Sequence, residues 1–280
     1  MPVGLEVRSA LPRSRRGPAL PPLLFVHGAY CDAWCWSVNI LPWFADKGYE
    51  AHALSLRGHG KSPGLESLDS ATLDEYVSDV REVAAELSSP PILIGHSMGA
   101  ALVERAIALD AYPGAALVCP VPPSGLLPVL TRLWWGRPDF FWQAQNMQQG
   151  MFDPVSLSTL REFYFTSNVP RNLLADALAH FSPESSRAVM QLAWRSSSAR
   201  LDDNDTPTCV IAAGADALFT VADAEATARR HGTSAVVLDE LPHMLMLEAG
   251  WEKLAATLDD WIRASSRKPK SDRSDLDRPR

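Results

Sequence analysis

Residues 91–109 read PILIGHSMGAALVERAIAL: a short apolar run, a turn of small residues, and an amphipathic stretch of helical length. The run PILI has the length and the β-branched content of a strand buried on both faces, while the alanines and leucines that follow suit a helix. Between them Gly95-His96-Ser97-Met98-Gly99 fits the pattern G-x-S-x-G. In a strand–turn–helix setting this pattern forms a strained elbow that lifts a serine hydroxyl above the sheet. The flanking glycines suit such a turn, because neighbouring backbones approach too closely to admit a Cβ. A serine in an ordinary glycine-rich turn would satisfy the pentapeptide alone. The strand before it and the helix after it are what make Ser97 a candidate nucleophile.

Outward from this segment, LLFV at 23–26, AHALSL at 51–56, AALVC at 115–119, TCVIAA at 208–213 and SAVVL at 234–238 repeat the short apolar pattern of buried parallel strands. Amphipathic segments fall at roughly 36–47, 73–88, 98–110, 221–231 and 249–263. Strand and helix alternate, the signature of an α/β fold with a doubly wound, mostly parallel sheet and helices on both faces. Thr220 followed by Asp223 predicts a capped start for the fourth of those helices. The alternation stops once, between about 121 and 200, where a Pro-rich start gives way to helical sequence rich in aromatics and methionine, from Trp134 and Trp135 through Met151 and Phe152 to Trp194. This stretch reads as an inserted helical cap. Most of its aromatics are expected to be core, and some to face a site beneath it. The expected division is a core of 1–120 and 201–263, a cap of 121–200, and a disordered polar tail of 264–280.

Composition narrows the class. Of 280 residues 46% are apolar and 21% charged, as in a soluble globular protein. No segment approaches the roughly 18 uninterrupted apolar residues of a membrane helix, so no stable membrane insertion is expected. The opening MPVGLEVRSALPRSRRG has no apolar stretch behind its basic residues, which predicts a cytoplasmic protein. The formal charge of −7 argues against a nucleic-acid partner. Cys31, Cys35, Cys119 and Cys209 lack metal-ligand spacing and read as buried thiols, so neither a metal nor a cofactor is expected.

A serine hydroxyl is a poor nucleophile unless a base takes its proton and an acid orients that base. His243 in LPHMLML follows the run SAVVL and precedes the last helix, which puts it at the C-terminal edge of the sheet with Ser97. His27, His59 and His96 stand in or beside glycine-rich loops and read as structural hydrogen-bonding residues; His52 lies in a strand, and His180 and His231 on helices. Asp216 in AAGADALF follows TCVIAA at the same edge as His243. Asp202, Asp203 and Asp205 precede that strand and fall at its other end, and the segment PVPPSG after AALVC holds no carboxylate. Asp216 is favoured by elimination as well as by position. Oxyanion donors are expected from the backbone N–H groups of Met98, just after the serine, and Ala29, in the loop FVHGAY. Tyr30, Trp134, Trp142, Phe163 and Met244 are expected to line the space for substrate.

The blocks HGAYCDAWCW at 27–36, SLRGHGKS at 55–62, GHSMGA at 95–100, GADALF at 214–219 and PHMLML at 242–247 resemble, in order, those of the α/β-hydrolase superfamily, over core blocks from about residue 20 to 263. The resemblance implies the α/β-hydrolase fold, a nucleophile at Ser97, an acid at Asp216, a base at His243, and a cap inserted after the sixth strand. Only about 20 residues precede FVHG, so the first strands are expected to be shortened or partly lost, and Ser55 stands where many relatives carry an Asp. The block HGAYCDAWCW is similar to that of plant methylesterases and hydroxynitrile lyases. The lyases as a group set a lysine near the catalytic histidine. Here the nearest lysine after His243 is Lys253, on the predicted last helix, which speaks against cyanohydrin cleavage. The block RGHGKS and a helical cap also resemble monoacylglycerol lipase and lysophospholipase relatives.

The leading expectation is a cofactor-independent serine hydrolase, carboxylesterase- or lipase-like, cleaving esters of apolar small molecules through an acyl-enzyme. The same triad serves C–C hydrolases, thioesterases, amidases and perhydrolases, and a non-catalytic small-ligand receptor could use the same scaffold. Nucleophile, base and acid occurring together favour chemistry over binding. Exposed apolar surface on the cap could serve a homodimer or a lipid interface.

Overall fold

All six apolar runs become the parallel body of one sheet in the computed structural model, which describes residues 4–13, 20–149, 158, 161–194 and 205–267. They are β2 (Leu23–Val26), β3 (Ala51–Leu54), β4 (Ile92–His96), β5 (Ala115–Val118), β6 (Thr208–Ala213) and β7 (Ala235–Leu238). A further strand, β1 (Val7–Ala10), pairs antiparallel with β3 at the sheet edge. One short piece therefore remains of the expected N-terminal strands. The spatial order is β1-β3-β2-β4-β5-β6-β7, and every pairing except β1–β3 is parallel.

Successive strand residues point to opposite faces, and each face buries its own apolar cluster. On one face Leu23, Phe25, Ile92 and Ile94 pack against α1 (Trp34–Ser37), α2 (Ile40–Asp46) and the last helix. On the other, Leu24, Val26 and Leu93 pack against α3 (Leu73–Glu86), α4 (Met98–Leu109) and the helix between β6 and β7. Each fully buried Leu or Phe contributes roughly 1.5–3 kcal/mol, and this two-sided burial is why the strand sequences are nearly continuous in apolar residues. Among the described residues no helix is long and apolar enough to cross a membrane.

Between β5 and β6 lie α5 (Leu127–Gly136), α6 (Asp139–Gln148), α7 (Arg171–His180) and α8 (Ser186–Ala193). Among the described residues the insertion follows the fifth strand, not the sixth, because one strand, β1, precedes β2. Its apolar residues join both core clusters: Leu133, Phe163 and Leu192 on one face, Phe165, Ala177 and Phe181 on the other. Met151, Phe152, Asp202 and Asp203 lie outside the described residues.

The remaining helices are α9 (Val221–Arg230) and α10 (Glu252–Arg267). The predicted cap of α9 is present: Thr220 Oγ1 accepts from Asp223 N–H (3.2 Å), and the Asp223 carboxylate accepts from Thr220 N–H (2.9 Å). Two boundaries differ from the sequence pattern. The stretch at 36–47 breaks at Val38 and Asn39 into α1 and α2, and α10 runs on to Arg267, so 264–267 are helical and only 268–280 of the expected tail fall outside the described residues.

Candidate active site

Ser97 is the single residue between the end of β4 and the start of α4, with φ 54° and ψ −117°. A non-glycine residue at positive φ is strained, and the surrounding contacts hold it there. Ser97 N–H donates to Val118 O (2.9 Å), pinning the elbow to β5. A Cβ on Gly99 would stand 2.5 Å from the carbonyl oxygens of Val26 and His27, and one on Gly28 would stand 3.0 Å from Ser97 Cβ. Glycine at these positions lets the loop after β2 press against the elbow. Met98 opens α4, and the first amides of a helix have no intrahelical acceptor.

Asp216 follows β6, and His243 lies on the loop after β7. His243 Nδ1 donates to Asp216 Oδ2 (2.7 Å), and the other carboxylate oxygen accepts from Leu218 N–H (2.8 Å) and Phe219 N–H (3.0 Å). The carboxylate is therefore fixed at both oxygens. The two loops are joined by Ala215 N–H to Leu241 O (3.0 Å), and Gly214 passes so close to Asp239 backbone that a Cβ would clash. His243 is almost fully buried, enclosed by the rings of His96 (4.7 Å between centroids), Phe219 (5.3 Å) and Tyr164 (5.8 Å). His96 immediately precedes Ser97 in the chain, so its contact with His243 ties the elbow to the histidine loop.

The three loop histidines hold the site together as expected. His96 Nε2 donates to His243 O (2.9 Å), and burial together with the nearby His243 pushes His96 well below the ordinary imidazole range, so the ring stays neutral. His27 Nδ1 donates to Gly28 O (2.8 Å) while its Nε2 accepts from Leu56 N–H (3.0 Å). Burial, with His59 adding to it, pushes His27 down to about 4. One ligand atom each of His96, Cys119 and His243 lie within 4.8 Å of one another. His96 Nε2 is bound to a carbonyl and His243 Nδ1 to Asp216, which leaves one nitrogen of each ring, but burial pushes the Cys119 thiol well above its ordinary range, away from the thiolate a metal needs.

A profile of the alpha/beta hydrolase family matches residues 23–257, nearly the whole described core. The chain belongs to the alpha/beta hydrolase family. Among its relatives, the non-heme chloroperoxidase of Burkholderia pyrrocinia is 35% identical over 108 residues, covering 36% of this chain and 38% of the relative. Protein phosphatase methylesterase 1 of Rattus norvegicus is 27% identical over 185 residues, covering 63% of this chain and 47% of the relative. The chain thus spans less than half the length of these curated relatives. The enol-lactonase of Burkholderia xenovorans LB400 shares the fold, with a TM-score of 0.70 at 18% identity, over 92% of this chain and 96% of that one. The esterase of Exiguobacterium antarcticum does too, with a TM-score of 0.69 at 18% identity, over 92% of this chain and 95% of that one.

The other residues expected at the site are divided. Tyr30, at φ 64°, lies on the loop after Ala29, and burial followed by the nearby Glu184 charge pushes its phenol up to about 12. Met244 is buried beside His243 and lines a small cavity with Cys31, Trp34, Phe181 and Leu247. Phe163 is buried too, but against Phe140 and beneath the Arg137 guanidinium. Trp134 and Trp142 are 58% and 68% exposed, and in α5 the buried positions are taken by Val129 and Leu133 instead of Trp134. The residues that do enclose His243, Tyr164 and Phe219, were not singled out, since nothing in their local pattern separates them from ordinary core aromatics. The loop around Ser55 is also completed from afar. Ser55 Oγ donates to Glu6 Oε2 (2.7 Å), so a carboxylate reaches this loop from the N-terminal segment although residue 55 itself is not acidic.

Proposed function

We propose that the protein is a cofactor-independent serine hydrolase that cleaves carboxylic esters of apolar small molecules. The observation that carries this reading is the 2.7 Å bond from His243 Nδ1 to a doubly anchored Asp216, with the ring of His96, the residue before the elbow serine, packed against His243. Ser97 Oγ attacks the ester carbonyl, and His243 Nε2 receives its proton. Asp216 keeps the proton on Nδ1 and stabilises the imidazolium that forms. The N–H groups of Met98 and Ala29 take the oxyanion of the tetrahedral intermediate. His243 returns the proton to the departing alcohol, leaving an acyl group on Ser97; a water then attacks with His243 as base, and the acid is released. Met244, Tyr164 and Phe219 around His243 present an apolar surface, which suits an apolar acyl or alcohol part. The four free thiols, all buried, suit the reducing cytoplasm.

The test is hydrolysis of a chain-length series of p-nitrophenyl esters by wild type and Ser97→Ala. Turnover by the wild type that vanishes in the variant is expected. Equal turnover in both would rule the mechanism out. A second reading is favoured by the chloroperoxidase relative: hydrogen peroxide replacing water as the attacker on the acyl-enzyme gives a peracid and frees the same serine. Peracid formation from acetate and peroxide, lost in Ser97→Ala, would place the chemistry there.

A further inference from the structure

We infer that Glu184, a buried carboxylate of the insertion, is a positioning residue for the oxyanion loop after β2; the inference rests on the serine-hydrolase reading above. Glu184 lies between α7 and α8 and is fully buried. Its Oε1 accepts from Tyr76 O–H (2.7 Å) and Ser185 N–H (2.7 Å), and its Oε2 stands 3.2 Å from His59 Nε2 and accepts from Tyr30 N–H (3.4 Å). The Gln148 side chain holds the Glu184 backbone, donating to its carbonyl and accepting from its N–H.

His59 faces an acceptor on each ring nitrogen: Arg57 O at 3.0 Å from Nδ1 and the Glu184 carboxylate at Nε2. An imidazolium presents a proton toward each, the Nε2 contact with Glu184 being an ion pair rather than an aligned hydrogen bond. Burial opposes both charges, yet the attraction between them and their hydrogen bonds hold His59 above and Glu184 below their ordinary values. The pair is neutral as a whole, so the carboxylate can hold an amide near the oxyanion site without setting an uncompensated negative charge beside it.

The backbone of Tyr30 is held at positive φ from two sides, and both holds come from the insertion: Tyr30 N–H donates to Glu184, and Ser182 N–H donates to Tyr30 O (3.1 Å). Ala29, the proposed donor, therefore sits between two fixed peptide planes. His27 fixes the Gly28 carbonyl on one side, and Glu184 fixes the Tyr30 amide on the other. The Tyr30 amide is taken up by Glu184, so of these two neighbouring amides it is that of Ala29 which the proposed mechanism uses. The insertion thus sets the geometry of a catalytic loop that belongs to the core.

The experiment measures kcat per active site, titrated with a fluorophosphonate, together with KM and the affinity for butylboronic acid, which forms a tetrahedral adduct on the serine. Glu184→Ala is expected to lower kcat about tenfold or more with little change in KM, and to weaken the boronate by a similar factor. Glu184→Gln has a single acceptor oxygen, which can serve Tyr30 N–H only by turning its NH2 toward Tyr76 and Ser185, so it is expected to recover part of both. Should Glu184→Ala be too unstable to titrate, Ser182→Pro decides, since it deletes the amide that holds Tyr30 O; the same fall is expected. Wild-type kcat per titrated site and unchanged boronate affinity, whatever the melting temperature, would mean a purely structural contact and overturn the inference. A wild type whose fluorophosphonate labelling is absent, or persists in Ser97→Ala, overturns the serine-hydrolase reading instead, and this inference with it.

Discussion

Asp216 shows how much chemistry hangs on one side chain whose oxygens are both committed. Oδ1 is bound to two backbone amides, which orient Oδ2 toward His243. Asp216→Asn can keep the backbone bonds through its oxygen, but then presents an N–H to His243 Nδ1. The ring must answer by carrying its proton on Nε2, the nitrogen that accepts the proton of Ser97 in the proposed mechanism. A fall in kcat of roughly 10³–10⁴ with little change in melting temperature is expected from steady-state kinetics and thermal unfolding of the variant. A residual rate within tenfold of wild type would contradict this role. The positions of Ser97, Asp216 and His243 at strand ends were legible in the sequence because each follows a recognisable strand. Tyr164, Phe219 and Glu184 were not, because their roles depend on what packs against them.

Helices carried their limits in the sequence where a capping residue marks them. At α3, Thr72 Oγ1 accepts from Glu75 N–H (3.2 Å) and the Glu75 carboxylate accepts from Thr72 N–H (2.8 Å), satisfying two amides at an end where no helical carbonyl is available. Thr72→Ala is expected to cost about 1 kcal/mol in urea denaturation while leaving kcat unchanged. A loss of activity without a loss of stability would be inconsistent with a capping role alone. Elements lacking such a signal were missed. β1 is VRSA, half exposed and too short to show a period, and it forms a strand because β3 offers it an edge, with Ser9 Oγ against His52 Nδ1 at 2.7 Å.

Across the whole molecule, burial of imidazoles gives stability a pH dependence. His27 is pushed down to about 4, His96 well below its ordinary value, and His52 below it, in each case chiefly by burial. Such groups bind fewer protons folded than unfolded, so their effect on stability is fully favourable above the unfolded value near 6.5 and is lost as pH falls toward the folded values. His59 works in the opposite sense: its value is raised, so its contribution is present below 6.5 and lost as pH rises through the folded value. His27 and His96 are displaced furthest, and both in the lowered sense. Calorimetry is expected to show a melting temperature that falls from pH 7 to pH 5, before the lowered carboxylates Glu6 and Glu184 come into play at more acid pH. A melting temperature that rose over this range would show that the imidazolium of His59 dominates.

By itself the sequence determined the succession of strands and helices, the elbow at Ser97, and the loops that bring Asp216 and His243 to one edge of the sheet. Those features rest on local periodicity and on the direction of parallel connections, both written in short stretches of chain. Only the tertiary structure decided which insertion residues meet the site. Trp134 and Trp142 face outward, Tyr164 closes over His243, and a glutamate from the insertion pairs with His59 of the core. A charge can be buried only where packing delivers its counter-charge and hydrogen-bond donors together, and these come here from segments far apart in the chain.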